Sequence, residues 1–76
     1  MRTGYAILDR YQYGWLQTRT RMENVDCPVT VWTLDEEDAL VFRRLKDARA
    51  MLKVVRRYHR SPERVRVVDP KWRVVV

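Results

Sequence analysis

Side chains that carry covalent or metal chemistry are scarce in this sequence, which has one cysteine (Cys27), one histidine (His59) and one serine (Ser61) among 76 residues. A lone cysteine cannot close an internal disulfide, so the chain needs no oxidising compartment and is expected to be cytoplasmic. One histidine and one cysteine fall short of the four ligands a zinc site usually takes. Nucleophilic catalysis needs a base beside the nucleophile, and Cys27 and His59 are a pair that only folding could join. Ser61 is more simply the residue before Pro62 at a helix end. No apolar run approaches the roughly 20 residues of a membrane-spanning helix, and MRTGYAILDRY at the N-terminus lacks the apolar region and cleavage site of a signal peptide. No catalytic residue, no metal, no cofactor and no membrane contact are therefore expected. With two glycines and no low-complexity segment, repeat or linker, the chain does not read as a disordered tail.

What is present is 46% hydrophobic and 34% charged, an ordinary composition for one folded domain over residues 1–76. A domain of this size buries only roughly 60% of its unfolded surface, which leaves little room for a deep cleft. The net charge is +6 and unevenly spread: from Ala39 to Val76 twelve Arg or Lys residues oppose Asp47, Glu63 and Asp69, leaving that half at +9. Such a field attracts phosphates or acidic protein surfaces, and it also keeps a small protein soluble. Arginine outnumbers lysine thirteen to three, which suits bidentate grip on phosphate or carboxylate, although a GC-rich coding sequence would give the same bias.

The pattern along the chain predicts α+β, with the elements running β-β-β-α-α-β and a possible last β. GYAILD (4–9) and WLQTRT (15–20) carry strand formers around RYQYG, where Gly14 can supply the positive φ of a hairpin turn. Alternation in the second strand puts Trp15, Gln17 and Arg19 on one face and Leu16, Thr18 and Thr20 on the other. Neither face is cleanly apolar, so an edge position is expected. RMENVDCP reads as a loop and VTVWT (29–33) as the third strand. At TLDEEDALVF the period changes: Thr33 or Asp35 can cap a short helix with Glu36, Glu37 and Asp38 in its first turn and Ala39 and Phe42 inward. LKDARAMLKVVRRYHR then sets Leu45, Ala48, Met51 or Leu52, Val55 and Tyr58 on one stripe of a long helix, ended by Ser61 and Pro62. VRVV (65–68) and WRVVV (72–76) are strands separated by Asp69-Pro70-Lys71. The last either pairs back on residues 64–69 or offers an edge to a mate, which gives a monomer or a weak homodimer. A mainly antiparallel sheet of three to five strands, with the long helix and the short one on one face, buries both apolar patterns.

The string WTLDEEDALVFRRLKDARAML, residues 32 to 52, resembles a pattern of small uncharacterised bacterial and prophage proteins: a hairpin, W-T-x-D-x-x-x-A-x-x-F, an amphipathic helix and a valine-rich strand. Trp32, Thr33, Asp35, Ala39, Phe42 and Ala48 match it, each as a packing or capping residue. The resemblance implies a fold and a mobile-element origin, and no activity.

The candidate contact residues are basic and aromatic. Lys46, Arg49, Lys53, Arg56, Arg57 and Arg60 follow one another at helical spacing behind Arg43 and Arg44, interrupted by Asp47, and such a row can track a phosphate backbone or simply be a solvated face. Tyr11, Tyr13 and Trp15 crowd the first hairpin turn, where they are core, a protein contact or a platform for unpaired bases. The run Asp35 to Asp38 could hold a hard cation, but helix electrostatics alone selects acids in a first turn. The expected function is a non-enzymatic binding module whose partner is nucleic acid or, alternatively, an acidic host protein.

Overall fold

The computed structural model describes residues 2–17, 21–24, 27–29 and 31–75. It is an α+β fold whose centre is a five-stranded antiparallel sheet. In chain order the sheet strands are β1 (Ala6–Asp9), β2 (Gly14–Leu16), β5 (Trp32–Thr33), β6 (Val65–Val68) and β7 (Val74–Val75). Their spatial order is β5-β2-β1-β6-β7. β1 and β6 form the spine, with Ala6 opposite Val68 and Asp9 opposite Val65.

Successive residues of a strand point to opposite sides, and these strands are apolar on both. Ile7, Leu16, Val65 and Val67 pack with Ala48 and Val55 of the single α-helix, α1 (Leu45–Tyr58), and with Phe42. Ala6, Trp15 and Val68 form a second cluster on the far side, joined by Leu8 and Ala39. This explains why β2 is not an edge strand: Trp15 and Leu16 are both buried, one on each side, and β2 lies between β1 and β5. It ends at Leu16, and the alternation expected through Thr18, Arg19 and Thr20 lies outside the described residues. Gly14 has φ of 81°, and a Cβ there would stand 2.5 Å from the Thr33 carbonyl oxygen, so the position requires glycine on both counts.

The segment read as a loop is instead a two-stranded ribbon, β3 (Arg21–Asn24) against β4 (Cys27–Val29), with Asn24 opposite Cys27. Pro28 is tolerated because a two-stranded ribbon does not need every backbone donor. Strand β4 stops at Val29 and β5 begins at Trp32, so VTVWT is not one strand, and Thr30 lies outside the described residues.

The short helix is a single 3-10 turn, Glu36–Asp38, capped by Asp35, whose carboxylate accepts the Glu37 amide at 3.0 Å. Thr33 Oγ1 in turn accepts the Asp35 amide. The chain turns extended at Ala39, so Ala39 and Phe42 share no helical face: Ala39 reaches the far-side cluster and Phe42 the helix-side core. Phe42 is held there by reciprocal 2.8 Å backbone bonds with Tyr5. Helix α1 presents Leu45, Ala48, Met51, Leu52 and Val55 to the sheet. Tyr58 lies about 60° round the axis from Val55 and is 43% exposed, off the buried stripe. Strand β7 pairs back on β6, with Val68 opposite Val74, so the C-terminal strand is closed within the chain on that side. Trp72 takes φ of 68° in the intervening turn. No helix among the described residues is long and apolar enough to cross a membrane.

Candidate nucleic-acid interface

The solvent side of α1 carries the expected basic row. Lys46, Arg49, Lys53 and Arg57 are exposed on the helix, Arg43 and Arg44 precede it exposed, and Arg60 follows it exposed. Asp47 is the acid of its first turn, and Arg56 and Arg57 lie in its last, where the helix dipole favours cations. Arg56 departs from the row. It lies on the flank nearest β6, is half-buried, and its Nη2 donates to the Val65 carbonyl at 2.8 Å, so it fastens the helix to the sheet.

The three hairpin rings separate. Trp15 is 5% exposed and is excluded as a surface contact. Its ring meets Trp72 edge-on at 5.4 Å and lies under the Arg2 guanidinium at 5.0 Å. Tyr11 is 76% exposed, with the Arg64 guanidinium 6.0 Å from its ring centre, and Arg64 Nη2 also donates to Gln12 Oε1. Tyr13, 39% exposed, stacks on Trp32 with ring centres 5.7 Å apart and planes at 28°.

What joins these rings to the helix is a buried pair, Asp9 and His59. Asp9 ends β1 with its side chain fully buried, and His59 is the residue after α1. His59 Nε2 lies 2.9 Å from Asp9 Oδ2, and His59 Nδ1 accepts the Ser61 amide at 2.9 Å. An acceptor role at Nδ1 selects the tautomer with its proton on Nε2, which donates to Asp9. Asp9 Oδ1 accepts the amides of Tyr11 and Gln12 at 3.0 and 3.2 Å and so shapes the hairpin turn. One carboxylate thus fixes the turn that carries Tyr11 and Tyr13 and ties it to the basic end of the helix. The imidazole also stands edge-on to both Tyr13 and Trp32, at 5.5 and 5.8 Å.

A cavity of about 380 Å³ opens there, lined by Tyr13, Trp32, Val55, Tyr58, His59 and Arg60. A larger groove of about 740 Å³ runs on the other flank of α1, floored by Leu52, Val67, Val74 and Val75 and edged by Arg49 and Lys53. Sequence reasoning missed Asp9, His59 as its partner, Trp32 and Tyr58 as site residues. An aspartate closing a strand and a histidine closing a helix give no signal until β1 and α1 pack. The pairing of Cys27 with His59 lies outside what is described, since the Cys27 side chain is not, while both ring nitrogens of His59 are engaged elsewhere. Among the described residues no three His, Cys, Asp or Glu side chains cluster to hold a metal ion.

The Asp69 carboxyl is held below its ordinary value, chiefly by the Arg73 amide, with the Lys71 amide and the Arg73 guanidinium adding to it and burial opposing. It belongs to the β6–β7 turn and not to this surface. No family model matches the chain, and no curated protein or solved structure is significantly similar to it.

Proposed function

We propose that this chain is a non-enzymatic nucleic-acid-binding module of bacterial or phage type that contacts phosphates through the solvent side of α1. The observation that carries this reading is the row of exposed cations Lys46, Arg49, Lys53 and Arg57 along a 14-residue helix, extended by Arg43, Arg44 and Arg60. A helix of that length spans about 21 Å, enough to meet several successive phosphates. Each phosphate neutralised releases counterions, so affinity falls steeply with salt and depends little on base sequence. The test is anisotropy of a labelled mixed-sequence duplex at low and moderate salt. Micromolar protein binds at low salt, and Lys53→Glu with Arg57→Glu abolishes binding while the far-ultraviolet circular dichroism is unchanged. Absence of binding at low salt ends the reading.

A second reading is supported by the groove beside β7, whose apolar floor and mainly basic edges, Arg49, Lys53, Arg56 and Arg66 against Glu63, suit an acidic protein surface. Binding of that kind depends on Leu52 and Val75 and survives salt that strips nucleic acid, because buried apolar area is not screened.

A further inference from the structure

We propose that the ring-lined cavity at the hairpin end takes one unpaired base of a single-stranded nucleic acid, a subsite that builds on the phosphate-binding reading of α1. Its wall is largely aromatic, with Tyr13, Trp32 and Tyr58 among the lining residues. Tyr13 and Trp32 stack on each other at 28°, leaving no slot between them, so a base meets the outer ring face of the pair, and Tyr58 lines the same cavity from the last turn of α1. His59, itself part of the lining, stands edge-on to both rings, and its two nitrogens are spent on Asp9 and Ser61. Tyr13 and Trp32 are therefore packed against the imidazole before any ligand arrives, and His59 offers no free polar atom with which to read a base edge. A preformed wall of this kind binds π faces of any identity at low entropic cost.

The charge at the mouth narrows the ligand class. Three rings around a cavity could also cage a quaternary ammonium, but the exposed Arg60 lines this one, in the half of the chain that carries +9. A cation is repelled there, whereas a base brings its phosphate to the arginine. The volume of about 380 Å³ lies in the usual range of small-ligand sites, roughly 300–1,000 Å³. A base paired inside a duplex has both faces covered by its neighbours and cannot use the wall. The subsite accordingly gives a preference for single strands that the helix row does not.

The experiment compares a labelled mixed-sequence strand, its duplex, and the same strand with abasic residues, at one low salt concentration. The wild-type chain is expected to bind the strand more tightly than the duplex and to lose that margin on the abasic strand. Tyr13→Leu is expected to weaken strand binding about 5- to 100-fold and leave the duplex unchanged, with Tyr13→Phe restoring it. If Tyr13→Leu does not fold, Tyr58→Leu on the exposed flank makes the same comparison. Equal affinity for strand and duplex, or equal weakening of both by the leucine variant, overturns the subsite and leaves the α1 reading standing. Binding to none of the three probes overturns both.

Discussion

The two sides of the five-stranded sheet are closed by different means. On one side an amphipathic helix lays Ala48 and Val55 over Ile7, Leu16, Val65 and Val67. On the other, the cluster of Ala6, Trp15 and Val68 is joined by Ala39 at the end of the 3-10 turn and sealed by side chains rather than by an α-helix. Arg2 does much of that sealing. Its guanidinium donates to the carbonyls of Gly4, Val68 and Asp69 and to Glu36, while it lies over Trp15 and, at 5.9 Å, over Trp72. Each side also holds one buried ionic group at opposite ends of the β1–β6 spine: Asp9 with His59 at one, Arg2 among carbonyls at the other. One face is sealed by a periodic element and the other by scattered residues whose polar atoms are satisfied one by one. The first is robust to surface change, and the second depends on each partner being present.

The largest effect is expected on the helix side. Phe42→Ala should cost about 3–5 kcal/mol, close to the whole stability of so small a domain, and leave the chain largely unfolded in a denaturant titration. A cooperative melt near the wild-type temperature would show that the far side holds the fold on its own. Next come the two buried ionic groups. Asp9→Ala leaves the buried His59 Nε2 proton without an acceptor and removes the acceptor of two turn amides, at about 3 kcal/mol. Arg2→Met keeps apolar contact with Trp15 but leaves carbonyls unpaired, at about 1–3 kcal/mol. Measured side by side in urea, a larger loss for Arg2→Met would reverse the ranking and make the side away from α1 the weaker seam.

The smallest effect concerns Asp69, in the turn that ends the far side. Oδ1 of this carboxylate accepts the amides of Lys71 and Arg73, so its folded pKa lies below its unfolded one. Its contribution is complete above the ordinary carboxylate value and is lost as pH falls through the lowered folded value. Hydrogen exchange should therefore show β7 loosening in strong acid before α1 does, and a carboxyl titration should place Asp69 below the ordinary aspartate value. Simultaneous loss of protection in β7 and α1 would mean that the turn is not a separate weak point.

The sequence by itself determined what depends on neighbours along the chain. The stripe of Leu45, Ala48, Met51, Leu52 and Val55 sets the helix. Asp35 caps the turn that follows it in sequence, Gly14 allows the hairpin and VRVV is a strand. These follow from backbone sterics and local hydrogen bonding, which act over a few residues. The exposed basic row was legible for the same reason, since helical spacing alone separates Lys46, Lys53 and Arg57 from the core face. Tertiary structure decided everything that depends on which residues meet across the fold. Trp15 is buried because β2 has neighbours on both sides, although its sequence context matches that of the exposed Tyr11. Arg56 turns inward because β6 offers a carbonyl there. Asp9 and His59 become partners, and Tyr13, Trp32 and Tyr58 become one cavity wall, only when the end of β1 packs against the end of α1. Burial and polar pairing are properties of long-range contacts, and no local pattern encodes them.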